Sequence, residues 1–372
     1  MIEITSTNSF LNLKNELSEL KINSSFLSYD FHSALETSGS VGEKSGWIPF
    51  PIVAKSEGKV VGFMPIYLKE HSYGEYVFDW SWAEAFQKSG LNYYPKIISA
   101  IPFSPITGRR IIADNNDIKR MMVKALEKIL VDHKISSCHI LFPNRQDASL
   151  FNDMGWLQRE GVQFRWENKG YDNFEQFLTN LSHNKRKKIK QERKKINNLN
   201  IEVTIKQGNL ILDEDIEFFY ACYCNTYMLH NSSPYLTKEF FYQLNKNMSG
   251  KLVFIFAEKE GRRIASALNI ISEQSLYGRY WGSLEYVSSL HFELCYYAGQ
   301  EFCIQNKLKY FEGGAQGEHK LARGFDAFKT YSNHFIANSE FKAAIESFLS
   351  KEKKYMDIYS NELEERSPYK GK

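Results

Sequence analysis

Several common sequence patterns are missing from this chain of 372 residues. No apolar run reaches the roughly 18 residues that a membrane-crossing helix needs. Residues 1–20 hold no basic segment followed by an apolar run, which argues against a signal peptide. The five cysteines form neither a Cys-x-x-Cys pair nor an even set. We therefore expect a cytoplasmic protein with reduced thiols and no membrane span.

Metal and nucleotide motifs are missing as well. Cys222 and Cys224 have no histidine pair close in sequence, so no zinc-binding spacing arises. The sequence also contains no phosphate-binding P-loop. We expect no metal, no permanently bound cofactor and no nucleotide hydrolysis.

Material for a folded core is abundant. Apolar residues make up 43% of the chain and aromatic residues 15%. This composition is typical of a globular protein, and the length predicts about two domains. The net charge of +3 does not by itself indicate a polyanionic partner.

Positive charge is nevertheless concentrated in "HNKRKKIKQERKKI", residues 183–196. Eight lysines and arginines accompany one acid, Glu192, and the two isoleucines lie seven residues apart. The pattern predicts a helix with a thin apolar seam. Its cations either form a solvated surface or bind phosphates of a substrate, a cofactor or an RNA. In the second case we expect Lys185 and Arg186 to contact the donor.

Residues 53–72 align with residues 256–275 without a gap, and Glu57-Gly58 then coincides with Glu260-Gly261. Both copies have the pattern of a strand, a charged turn with glycine, and a second strand. An offset of about 200 residues with only two copies favours a duplicated domain over a solenoid.

The order of predicted elements indicates a mixed α/β fold (α+β-like). We predict two duplicated domains, 1–168 and 169–372, each with a mixed central sheet flanked by helices, and we expect the second to be catalytic. In the first domain the predictions are helices at 24–38 and 117–133, a meander at 50–80, and strands at 136–142 and 156–167. In the second they are helices at 174–197, 213–229, 237–247, 290–306 and 340–362, and strands at 252–259, 263–272, 275–282, 308–312 and 330–337.

This element order resembles the GNAT acyltransferase fold. The segments "KRKKIKQER", "SPYLTKEFF", "LYGRYWG", "LHFELCYY" and "GGAQGEHKLARGF" further resemble those of the tandem-GNAT, FemAB-like or "peptidoglycan biosynthesis/recognition" family. The resemblance covers nearly the whole chain. It implies an N-acyltransferase that modifies a primary amine, such as a lysine or ornithine side chain of a peptide.

Three functions follow from this resemblance. The donor is either an acyl thioester, on coenzyme A or a carrier, which we favour slightly, or an aminoacyl-tRNA used to modify a peptide or peptidoglycan precursor. The third alternative is a peptide-binding or peptidoglycan-binding protein without catalysis. In ordinary GNAT enzymes a glycine-rich turn holds the coenzyme A diphosphate. The corresponding residues 282–293 have one glycine and add Glu285, which argues against a standard acetyl-CoA site.

The strongest candidate site is "YFEGGAQGEHKLARGF", residues 310–325, here called the glycine segment. Acylation of an amine needs a proton acceptor, donors for the carbonyl oxygen and a stabilised leaving group. We expect Glu318 or His319 to be the base, with Glu312 at a strand end. Glycines allow positive φ and close approach of a ligand to backbone. The expected ligand-binding residues are Gly313, Gly314, Gln316, Gly317, Lys320 and Arg323. The alternative interpretation is a turn with a salt-bridged rim.

Other candidates lie outside the glycine segment. In "LHFELCYY", His291 either acts in catalysis or begins an apolar helix face, and Glu293 needs a partner, for which we expect Arg279. In "YGRYWG", Tyr280 assists the leaving group or belongs to the core. Trp281 is the remaining candidate there. In "EYVFDWSWAEAF", Asp79, Trp80 and Trp82 are predicted on a strand. The two tryptophans would line a pocket or fill an interdomain interface.

Overall fold

A computed structural model describes residues 1–314 and 317–370 of the chain. Its contacts divide the chain into two compact units. The first comprises Met1–Val162 and Lys329–Tyr359, and the second comprises Gln163–Phe328 and the chain from Ser360 onward. Each unit therefore contains two separate segments of the chain. These units are defined by contacts within the structure. The boundary between the two duplicated domains at 168–169 therefore stays a prediction.

The chain up to residue 167 contains nine strands and five α-helices. They are β1 (Ile2–Ser6), α1 (Lys14–Glu19), α2 (Tyr29–Thr37), β2 (Trp47–Pro49), β3 (Ile52–Ser56), β4 (Lys59–Met64), β5 (Ile66–Lys69), α3 (Trp80–Lys88), β6 (Lys96–Ser99), β7 (Ile112–Ala113), α4 (Asn116–Asp132), β8 (Ser137–Leu141), α5 (Arg145–Asp153) and β9 (Leu157–Glu167).

The remaining described elements confirm the mixed α/β class. They are α6 (Phe174–Thr179), α7 (His183–Asn198), β10 (Ile201–Gln207), α8 (Asp213–Leu229), α9 (Lys238–Met248), β11 (Leu252–Lys259), β12 (Arg262–Ser272), β13 (Ser275–Ser283), α10 (the consecutive segments Leu290–Phe292, Glu293–Tyr297 and Ala298–Gln305), β14 (Tyr310–Glu312), β15 (Asp326–Ile336) and α11 (Ser339–Glu365). Within the described residues, no helix is long and apolar enough to span a membrane.

The first unit is built on one long hairpin that prolines divide between two sheets. β3 pairs with β4 in a sheet of order β1-β3-β4-β7, whereas β2 pairs with β5, which continues to β6 and β8. Pro51 and Pro65 lie at the points of division. Proline has no N–H for the ladder, so pairing stops at these positions. Helix α4 packs Met122, Val123 and Leu126 into the core of this unit.

The second unit has an uninterrupted meander. Its strand order is β10-β11-β12-β13-β14-β9, antiparallel throughout except for the parallel pair β13 and β14. Helix α8 lies directly on β13. A Cβ added at Gly282 would lie 1.9 Å from the carbonyl oxygen of Cys222, so only glycine permits this approach. The glycine at the start of the 282–293 turn is thus required for packing.

The aligned repeat has the same geometry in both units. Glu57 and Gly58 have φ of 51° and 81°, and Glu260 and Gly261 have φ of 51° and 72°. Two successive positive φ values are those of a type I′ hairpin turn. The pairing register also shifts after Ala54 in one hairpin and after the aligned Ala257 in the other. Turn and bulge are therefore shared by the two hairpins.

Candidate active site

Strands β13 and β14 pair over three residues and then separate. The last pair is Tyr277 with Glu312, after which β13 runs on to Ser283 while the chain enters the glycine segment. A register shift in β13 occurs at this point, because Gly278 pairs with Asn269 and Tyr280 with Leu268. The extra residue is Arg279. A bulge redirects a side chain, and this one lies where the strands part.

Glu312 ends β14 as predicted, but it is held by an ion pair. It is buried, and Arg165 on β9 donates to it from Nε at 2.9 Å and from Nη2. Burial raises the pKa of Glu312, and the charges of Arg165 and Arg279 oppose that rise. The Arg165 guanidinium also lies 4.2 Å from the ring centre of Phe328. Arg165 thus holds the carboxylate at the strand end.

Glycine is required at several positions of the glycine segment. Gly314, Gly317 and Gly324 have φ of 86°, 113° and 88°. This confirms the prediction of positive φ for the first two, whereas Gly313 is not among the positive-φ glycines. A Cβ at Gly313 would lie 3.1 Å from Phe325, so there the constraint is packing. Gln316 lies outside the described residues.

Lys320 and Arg323 lie on the buried side of a 3₁₀ helix, Glu318–Arg323, called the 318–323 turn. Lys320 donates to the Gly314 carbonyl at 2.8 Å, and burial lowers its pKa to about 8. Arg323, predicted to bind a ligand, donates instead to Glu192 at 2.7 Å and to the His319 carbonyl at 2.8 Å. Both residues fix the turn from inside.

Glu318 and His319 lie at a pocket of ≈ 340 Å³, the histidine pocket. Its lining residues are Lys185, Glu318, His319, Leu321, Ala322, Arg366 and Ser367. Glu318 is ion-paired to Arg366 at 2.5 Å on the surface. His319 is exposed overall, although its Nε2 lies 2.9 Å from the Tyr296 hydroxyl. Partial desolvation of the ring and the charges of Arg323, Lys320 and Lys188 lower the pKa of His319. Its imidazole is therefore neutral at pH 7.

An aromatic group adjoins His319. The His291 ring centre lies 5.2 Å from that of Trp281, 5.3 Å from that of Tyr296 and 6.4 Å from that of His319. Burial and neighbouring cationic side chains lower the pKa of His291 to about 4. Tyr280 is not part of this group, since it packs on Tyr223 of α8 at 5.2 Å. The structure thus brings together three predicted site residues and separates a fourth.

The predicted partner of Glu293 was wrong. Arg193 of α7 donates to Glu293 and to Glu301, each at 2.9 Å. Glu293 begins the π-helical segment Glu293–Tyr297 inside α10, a feature often found at functional sites. Sequence reasoning missed both features. The inner face of α7 also buries Ile189 and Ile196, which confirms the apolar seam.

The prediction that Trp80 and Trp82 lie on one side of a strand was wrong, because both belong to α3. Residues two apart on a helix point in roughly opposite directions. Trp82 is buried 4.9 Å from the His334 ring, and Trp80 is exposed. Asp79 accepts from Lys96 at 2.5 Å and from the Tyr93 hydroxyl at 2.6 Å. Although burial opposes it, the Lys96 ammonium holds the pKa of Asp79 at about 2.

Lys96 joins a wider buried set, the Lys96 cluster, made of Ser72, Glu75, Asp79, Tyr93 and Lys96. The Lys96 ammonium also donates to Ser72 at 2.7 Å and to Glu75 at 2.8 Å. Across residues 1–314 and 317–370, no three His, Cys, Asp or Glu side chains are grouped to hold a metal ion.

Comparisons with known proteins agree with this architecture. The FemAB-like family model, described as peptidoglycan biosynthesis/recognition, matches residues 11–371. No curated protein matches the chain. The solved structure of FemX is similar with a TM-score of 0.56 and 10% identity over 92% of this chain and 100% of its own. The structure of L-PGS from Bacillus licheniformis is similar with a TM-score of 0.53 and 11% identity over 86% of this chain and 95% of its own. A third similar structure is the C-terminal domain (DUF2156) of a putative lysylphosphatidylglycerol synthetase from Agrobacterium fabrum. Its TM-score is 0.54, with 10% identity over 92% of this chain and 97% of its own.

Proposed function

Because the chain belongs to the FemAB-like family, we propose that it is an acyltransferase whose second unit transfers an activated acyl group to a primary amine. The family description supports a peptide or a peptidoglycan precursor as the acceptor. One observation carries the proposal. A neutral imidazole, His319, lines a pocket and lies against the backbone of Gly317 in the glycine segment.

His319 is the proton acceptor in this proposal. The acceptor ammonium first loses one proton to solvent. The amine nitrogen then forms a bond to the acyl carbon, the bond from that carbon to the leaving oxygen or sulfur breaks, and the nitrogen gives its second proton to His319. An imidazole with a lowered pKa is free to take this proton at neutral pH. Glu318 is less suited to the role because Arg366 already occupies its carboxylate. Protonated His319 then returns the proton to the leaving group.

The contacts of Lys320 support a role in positioning. Its ammonium holds the Gly314 carbonyl at 2.8 Å, and the side chain is almost fully buried. The contact fixes the backbone of the glycine segment from its buried side. Backbone N–H groups held in place are effective donors to an oxygen that becomes negative in the transition state. In this proposal the carbonyl oxygen of the acyl donor accepts hydrogen bonds from backbone N–H groups of the glycine segment.

We propose aminoacyl-tRNA as the donor, with an acyl thioester as the second candidate. In the turn that holds coenzyme A in ordinary GNAT enzymes, Gly282 is needed for packing and Glu285 is paired with Lys259 at 2.7 Å. Helix α7, in contrast, exposes a row of cations. These are Lys187, Lys188, Lys190, Lys194 and Lys195. Such a face favours a polyanionic carrier.

The test is intact-mass spectrometry of amine-bearing peptides and peptidoglycan precursors incubated with charged tRNAs or with acyl-CoAs. We expect a mass increase of one aminoacyl residue with a charged tRNA, and weaker tRNA binding at higher salt. An increase only with an acyl-CoA would select the second candidate. The absence of any increase across both donor classes would refute the proposed function.

A further inference from the structure

The histidine pocket has a wall supplied by the C-terminal segment. Arg366 and Ser367 line it together with Lys185, which lies in the first turn of α7. The next residues anchor this wall. The Ser182 amide donates to the Pro368 carbonyl at 2.9 Å, and the buried Tyr369 hydroxyl donates to the Gly324 carbonyl at 2.6 Å. The segment is thus a fixed part of the second unit.

Polar groups of this pocket suit an anion. Two cations, Lys185 and Arg366, line the same ≈ 340 Å³ space. The Ser367 hydroxyl oxygen is buried and has no hydrogen-bond partner within the part of the chain that the structure describes. The start of α7 adds the positive end of a helix dipole and carries no acid in its first turn. Phosphate oxygens accept hydrogen bonds from cationic side chains and hydroxyl groups of these kinds.

The acid in the pocket is held by one of these cations. Glu318 and Arg366 are paired at 2.5 Å, with 42% and 55% of their side chains exposed. Exposed ion pairs of this kind contribute little to stability, so another anion can replace the carboxylate at modest cost. Replacement would leave Glu318 free to turn toward His319 or toward an incoming ammonium group.

We propose that the histidine pocket binds a phosphate group of the donor's carrier through Lys185, Arg366 and Ser367, and that this phosphate displaces Glu318 from Arg366. The inference rests on the proposed function for the identity of the carrier. The displaced carboxylate gives the positively charged acceptor amine a partner only when the donor is present. The pocket would thereby favour binding of the acceptor after the donor.

Calorimetric titration of the full chain with inorganic pyrophosphate tests the site without any transfer reaction. We expect Lys185→Met and Arg366→Met to weaken binding at least tenfold and Ser367→Ala to weaken it severalfold. Glu318→Gln should tighten binding severalfold, because the competing carboxylate is gone. Lys351→Met, which changes an exposed lysine of the first unit, is the control and should bind as the unchanged chain does.

Three results of the titrations would overturn the inference. These are no binding of pyrophosphate at low salt, unchanged binding by Arg366→Met, or weaker binding by Glu318→Gln. Melting temperatures of the variants exclude unfolding as the cause. Competition by coenzyme A and by a short RNA hairpin with a single-stranded 3′ end identifies the carrier, and displacement by neither of them also contradicts the inference. Failure here leaves amine acylation intact, and failure of acylation leaves pyrophosphate binding measurable.

Discussion

Each unit buries a lysine, and the two lysines have different kinds of partner. In the first unit Lys96 is fully buried, and its ammonium meets the oxygens of Ser72, Glu75 and Asp79. In the second unit the buried Lys320 holds a backbone carbonyl, and His319 beside it opens on a pocket. A cluster whose opposite charges meet internally stabilises one conformation. A cationic turn beside a pocket is suited to a ligand.

Removal of the central cation in the first unit should have the largest effect. Lys96→Met leaves two buried carboxylates without their partner, and we expect a loss of about 3–5 kcal/mol in the free energy of unfolding. Urea denaturation measures the loss. Lys88→Met, in an exposed pair with Glu84, is the control and should change little. A loss below about 1 kcal/mol for Lys96→Met would show that the cluster is not held by charge.

Substitution of a glycine beside His319 in the second unit, compared with a matched glycine in the first, tests the difference between the two units. Gly317 has φ of 113°, and a Cβ there would lie 2.3 Å from Cε1 of His319. Gly317→Ala should therefore displace the imidazole, cost about 1–3 kcal/mol in stability and lower transfer at least tenfold. Gly58→Ala also has positive φ but meets open space. It should cost a similar free energy and leave transfer unchanged, and equal transfer by both variants would contradict the role of His319.

The smallest expected effect concerns acid sensitivity of the first unit. His139 and His334 are buried with their Nδ1 atoms 2.7 Å apart, and burial lowers the pKa of His139 to about 3 and holds that of His334 well below its ordinary value. Such a group takes up its proton only on unfolding. Its stabilising contribution is complete above pH 6.5 and is lost as the pH falls toward the folded pKa.

From pH 7 to pH 5.5, His334→Gln should therefore lose about 1 kcal/mol less stability than the unchanged chain. Urea denaturation at the two pH values gives the difference. Glu75 works in the other direction, because burial raises its pKa to about 7, but it is present in both proteins and cancels. Parallel pH dependences of the two proteins would show that His334 does not contribute.

Local patterns in the sequence predicted much of the second unit. Residues 213–229, which begin with three acids, were predicted as a helix and form α8 with the same ends. The meander, the hairpin turn at Glu260-Gly261 and the positive φ of Gly314 and Gly317 also followed from residue types. These features depend on neighbours in the chain, so a single sequence contains their cause.

Features that depend on distant residues were missed. Arg366, which pairs with Glu318, is 48 residues away from it, and Arg193 is 100 residues from Glu293. Periodicity gives no information about such pairs. In the first unit, helix α3 begins after Asp79, and the alternation of Trp80 and Trp82 indicated a strand instead. Residues 174–197 form two helices rather than one, because the chain turns between α6 and α7.

The central claim is that His319, and not Glu318, accepts the proton from the amine. The most direct measurement is kcat/KM for peptide acylation by His319→Gln and by Glu318→Gln across pH 5 to 8. The account predicts a fall of about 10²–10⁴-fold for His319→Gln, a fall below tenfold for Glu318→Gln, and, in the unchanged enzyme, activity lost only as the pH drops below 6.5. Full activity of His319→Gln, with the loss confined to Glu318→Gln, would contradict it.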